Sequence, residues 1–128
     1  MAEIFPILQS RHFSLGQAES LLPIVKRVTQ KALGEFLILE EKLRKYSTDS
    51  EQSKIIEKEI SELLNRWGQK ILKLGGIPKG IWLVDFDNGE GYYCWRYGEE
   101  KIEYAHRYQE SFAQRAPIAN FAKAALLT

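Results

Sequence analysis

Ile81-Trp82-Leu83-Val84-Asp85-Phe86 runs into Asp87-Asn88-Gly89-Glu90-Gly91 and then into Tyr92-Tyr93-Cys94-Trp95-Arg96-Tyr97. The two flanking runs are rich in β-branched and aromatic residues, which suit a pleated, half-buried surface. The segment between them centres on Asn-Gly, the pair that most readily turns a hairpin. Two antiparallel strands follow. Gly98-Glu99-Glu100 marks a second turn, and Lys101 to Ala105 alternates polar and apolar residues, which predicts a third strand. The second part of the chain, 80–118, therefore reads as a three-stranded antiparallel β-meander with a tail.

Upstream the period is helical. Leu15, Ala18, Leu21, Leu22, Val25, Val28, Ala32, Phe36, Leu39 and Leu43 recur at steps of three and four and make one apolar stripe. Ser14 and Gln17 have the spacing of a capping box. Pro23 removes the hydrogen bond to the Glu19 carbonyl, so a kink or break is expected there, with a long helix then running to about Tyr46. Ser47-Thr48-Asp49-Ser50 is a turn, and Thr48 with Glu51 repeats the capping spacing. Ile55, Ile56, Ile60, Leu63, Leu64, Trp67, Ile71 and Leu74 form a second stripe, ended by Gly75-Gly76 and Pro78. A short turn between two long helices forces them antiparallel. The expected fold is thus α+β: a helical hairpin over 13–75, the meander, and a short C-terminal helix. The segment 2–12, around Pro6, reads as extended. Arg107 to Ala116 reads as a short helix, and 121–127 reads either as a last helical turn capped by Asn120 or as a frayed tail.

The 128 residues fit one domain, 1–128. At 45% hydrophobic and 27% charged residues, the chain is neither disordered nor a membrane protein. No apolar run approaches the ~18 residues of a membrane span, and the start of the chain makes a poor signal peptide. A cytoplasmic location is expected. Acids and bases are interleaved at a net charge of +1, which argues against a nucleic-acid partner, since phosphate binding concentrates positive charge. Cys94 is the single cysteine, so neither an internal disulfide nor a four-cysteine zinc site can form within one chain.

The polar residues of 85–115 are where chemistry could reside. Asp85 lies between Val84 and Phe86; a buried carboxylate needs a partner, and Arg96 and Arg115 are the candidates. A structural ion pair or a solvated face is the plainer account of Asp85; a ligand-binding trio of Asp85, Arg96 and Arg115 is the sharper one. Cys94, His106 and Glu110, with Glu103 nearby, offer the thiolate, imidazole and carboxylate groups that bind transition metals. On a helix His106 and Glu110, four apart, would share a face. Their spacing matches no established ligand motif, and a strand cysteine is more often a small buried apolar residue. Cys94 and His106 also permit a nucleophilic pair. The aromatic series Trp82, Phe86, Tyr92, Tyr93, Trp95, Tyr97 and Tyr104 could stack on a flat ligand, but is also what sheet–helix packing uses.

Phe13-Ser14-Leu15, Ala18 and Leu21-Leu22-Pro23, then Gly80, Leu83-Val84-Asp85-Phe86, Cys94-Trp95-Arg96, Gly98-Glu99, His106, Phe112-Ala113, Arg115 and Pro117, resemble the family of domain of unknown function 2203 over about Phe13 to Ile118. The second block carries the resemblance; the leucine-rich opening is less specific. Ala105 stands where the family favours an aromatic, and Ser111 and Gln114 where it favours glycines. The resemblance implies a bacterial cytosolic protein and brings no agreed activity, cofactor or substrate.

Two functional expectations follow. One is a non-catalytic module that self-associates, as a homodimer or coiled coil, through a hairpin of roughly 35 to 45 Å, longer than the meander can cover, with Phe36, Leu39 and Trp67 as contacts. The other is a metal- or small-ligand-binding protein, with hydrolytic or redox chemistry, built on the polar residues of the meander.

Overall fold

The computed structural model describes residues 12–121. The extended lead-in expected before residue 12 and most of 121–127, the last helical turn or frayed tail, lie outside them.

Helix α1 (Leu15–Leu43) opens on the expected capping box: the Ser14 hydroxyl accepts from the Gln17 amide at 3.1 Å, and the Gln17 side chain accepts from the Ser14 amide at 2.9 Å. Pro23 does not divide it; α1 is one continuous helix of 29 residues. Pro23 sits on the exposed face, so water can reach the unpaired Glu19 carbonyl and the missing bond is tolerated. The helix ends at Leu43, before the expected Tyr46. Helix α2 (Glu51–Leu74) is capped by Ser50 instead of Thr48. Ser50 accepts from the Ser53 amide, while the buried Ser53 hydroxyl donates to the Thr48 carbonyl at 2.9 Å, leaving Thr48 in the turn. Gly75 terminates α2 in the left-handed region, at φ 101°, where a side chain would be strained.

The sheet has five strands, not three, in the order β1 (Ile77–Gly80), β2 (Leu83–Asp87), β3 (Gly91–Arg96), β4 (Tyr104–Arg107) and β5 (Ala116–Pro117), every neighbouring pair antiparallel. Pro78 concealed β1, because proline lacks the ladder donor and is confined to edges, where β1 lies. β5 is two residues long, too short for any periodicity. The segment expected to be a helix over 107–116 is instead the end of β4, a 3-10 turn (Phe112–Gln114) and β5, with a short helix at 118–121. Ile81 and Trp82, assigned to a strand from the sequence, form the β1–β2 turn, with Trp82 at φ 62°. That conformation is costly for a tryptophan. It seats the indole edge-on against Phe36 and Trp67, at centroid distances of 5.7 and 5.1 Å.

One face of the sheet packs on the hairpin. Val84, Phe86 and Trp95 are sealed against Leu22, Val25, Leu63 and Ile71. Within the hairpin the Trp67 indole N–H donates to the buried Thr29 hydroxyl at 3.0 Å. Trp67, Phe36 and Leu39 thus turn into or toward the core instead of outward. Lys26 donates to the Glu100 carbonyl, tying α1 to the β3–β4 connection.

Candidate functional site

The site lies on the opposite face of the sheet, where the β2–β3–β4 register places it. Asp85 pairs with Cys94 and Cys94 with Tyr104; Asp87 pairs with Tyr92 and Tyr92 with His106. Partners in register project to one side, so Asp85, Cys94 and His106 share a face and converge over β3. Gly91 makes the approach of β4 possible: a Cβ there would run into the His106 carbonyl.

The three side chains are nearly sealed, Asp85 and Cys94 at 1% exposure and His106 at 4%. His106 Nε2 lies 2.9 Å from Asp85 Oδ2, and Nδ1 lies 3.0 Å from the Arg107 carbonyl oxygen. A carbonyl only accepts, so Nδ1 carries a proton and Nε2 faces the carboxyl group. The Cys94 sulfur lies within 4.8 Å of the same carboxyl group. Burial raises the Asp85 pKa above its usual value, opposed by the charge of His106. Burial, with the Asp85 charge added, pushes the Cys94 thiol up to about 12. A thiol held protonated at neutral pH is no nucleophile, which removes support from a Cys94–His106 nucleophilic pair.

Two groups flank the cluster. Tyr92 lies beside the His106 ring at 5.4 Å, backed by Tyr108 at 5.1 Å and by the Lys79 ammonium at 4.8 Å. The Tyr108 hydroxyl donates to Asp87 at 2.7 Å, and that bond raises its pKa to about 12. On the Cys94 side, Arg115 stacks over Tyr104 and Phe112, each 4.2 Å away, and forms a two-pronged ion pair with Glu99 at 3.1 and 2.7 Å.

The residues singled out in the sequence therefore separate. Cys94 and His106 meet, joined by Asp85, and Arg115 stacks on Tyr104, the register partner of Cys94. Asp85 pairs with His106, not with either arginine. Arg96 is exposed, opposite Leu83, with its guanidinium over Phe112. Glu110 stands apart: 108–111 is not helical, and its carboxylate accepts from the Arg107 amide at 2.8 Å. Glu99, read in the sequence only as part of a turn and of the family resemblance, holds Arg115, and Thr29, which the sequence did not bring forward, holds Trp67. Each gains its role from a partner distant in the chain.

Asp85, Cys94 and His106 each offer one ligand atom, and the three atoms lie within 4.8 Å of one another. A tetrahedral ion roughly 2.0 to 2.3 Å from each donor would set them about 3.3 to 3.8 Å apart, so the 2.9 Å His106–Asp85 contact would open to admit it. The His106 Nδ1–H held by a backbone carbonyl is the arrangement that fixes a ligating imidazole.

A helical hairpin backed by an antiparallel meander, with a carboxyl–thiol–imidazole cluster buried on the meander's far face, defines an α+β protein with a candidate metal centre. The chain belongs to the family described as uncharacterized conserved protein (DUF2203), whose profile matches residues 11–118. No curated protein and no solved structure matches the chain. Among the described residues, no helix is long and apolar enough to cross a membrane.

Proposed function

We propose that this protein binds a transition-metal ion through Asp85, Cys94 and His106. The observation that carries this reading is the convergence of three different buried ligand atoms within 4.8 Å. Thiolate, imidazole and carboxylate together suit zinc and its neighbours better than magnesium or calcium, which take oxygen. No fourth His, Cys, Asp or Glu joins the group among the described residues. Three protein ligands leave one tetrahedral position that the chain does not fill. Elemental analysis of the purified protein tests the reading. About one zinc-group ion per chain, with lower thermal stability in chelator, supports it; no stoichiometric metal and no response to chelator contradict it.

A second reading, self-association through the hairpin, is favoured by a separate observation. Leu37, Ile38 and Ile55 are 53, 60 and 56% exposed. They lie toward the hairpin's turn, beyond the Phe36–Trp82 contact. Light scattering at tens of micromolar tests it: a dimer that Ile38→Glu dissociates supports the reading, and a strict monomer contradicts it.

A further inference from the structure

The arginine beside Cys94 is held more firmly than an ordinary surface ion pair requires. Its partner Glu99 is itself fixed, since Glu99 Oε1 also accepts from the Arg96 amide at 2.8 Å, at the end of β3. Both carboxylate oxygens engage the guanidinium, at 3.1 and 2.7 Å. The flat faces of the guanidinium are occupied by the Tyr104 and Phe112 rings. Tyr104 is the register partner of Cys94, so an arginine stacked on Tyr104 is delivered next to the sulfur. A guanidinium has five N–H donors in a rigid fork. Two go to Glu99, which leaves donors free for the neighbouring Cys94, whose thiolate the Arg115 charge favours. The order of support runs from the β3 backbone to Glu99, from Glu99 to Arg115, and from Arg115 to the Cys94 sulfur.

We infer that Arg115 is a positioning residue for the metal centre, donating a hydrogen bond to the Cys94 sulfur when that sulfur ligates the ion, with Glu99 aiming it. The inference rests on the metal-binding reading. A charged donor beside a ligating thiolate offsets its negative charge and draws electron density away from the metal–sulfur bond. Lysine cannot reproduce the function in full, because it lacks the planar fork that grips Glu99 while leaving a donor for sulfur.

Cobalt(II) is the probe, since its thiolate-to-metal absorption band reports directly on the sulfur. Wild type is expected to bind one Co(II) with that band. Arg115→Met is expected to shift the band to longer wavelength and to weaken Co(II) binding by about 10-fold, the lower end for loss of an outer-shell partner. Arg115→Lys should fall between the two. Should Arg115→Met fail to fold, Glu99→Gln, which keeps the guanidinium but loosens its aim, is expected to move the band in the same direction. An unchanged band and affinity in the folded variants overturns the role of Arg115 while leaving the site intact. Wild type without any thiolate band overturns the site, and the inference with it.

Discussion

His106 Nε2 and Asp85 Oδ2 meet at 2.9 Å across the width of an intervening strand, and both side chains are nearly inaccessible to solvent. Neither residue can be removed alone without stranding the other. In metal-free protein, His106→Ala is expected to destabilise the fold by about 3 to 5 kcal/mol, the cost of breaking a buried pair. Asp85→Ala with His106→Ala should cost clearly less than the sum of the two single variants. Urea unfolding of the four proteins measures the coupling, and strict additivity would refute the pairing.

The raised Cys94 pKa sets a pH dependence. An unfolded thiol ionises near its ordinary 9.0, the folded one near about 12. Below 9.0 both states hold the proton and the stabilisation is complete; as pH rises from 9.0 toward 12 the unfolded state loses its proton first, and stability falls. Metal-free wild type should lose about 1.4 kcal/mol per pH unit more than Cys94→Ser across that window. Equal slopes in the two proteins would count against a sealed thiol.

Pro23 is expected to cost stability without serving the fold. Pro23→Ala restores the bond to the Glu19 carbonyl inside an unbroken helix, and should stabilise by about 1 to 3 kcal/mol, the loss of unfolded-state restriction setting the lower end. Thermal unfolding monitored at 222 nm would register the gain; a loss would mean that the proline has a packing role.

The Thr29–Trp67 hydrogen bond stitches the hairpin under the sheet. Thr29→Val keeps the shape but leaves the indole N–H unsatisfied, and should destabilise by about 1 to 3 kcal/mol. Thr29→Ser, which keeps the hydroxyl, should lose less. Chemical denaturation of both variants discriminates a lost hydrogen bond from a lost methyl group.

Much of the architecture is legible in the chain because local rules act there without competition. The Ser14 capping box, the two apolar stripes, the Gly75 stop and the Asn88-Gly89 turn all lie where their residues place them. Local rules failed where tertiary context prevailed. Pro23 is tolerated because its helix face is wet. Trp82 leaves the strand pattern because two aromatic neighbours hold it in a turn. β5 forms because 116–117 reaches the edge of β4. The same division runs through the site. The chemistry of Asp85 and Cys94 on strands, and of the His106 imidazole downstream, is visible in the sequence. Which of them met depended on strand register, which pairing in space decides. Glu110 was drawn in by an expected helix that is not there.

The central claim is that Asp85, Cys94 and His106 together hold a metal ion. Calorimetric titration of metal-free protein with zinc tests it most directly, on wild type beside Cys94→Ala and His106→Ala. One site per chain in wild type, lost or weakened at least 100-fold in both variants, is the predicted result. Wild type that binds no zinc, or variants that bind it as tightly as wild type, would contradict the account.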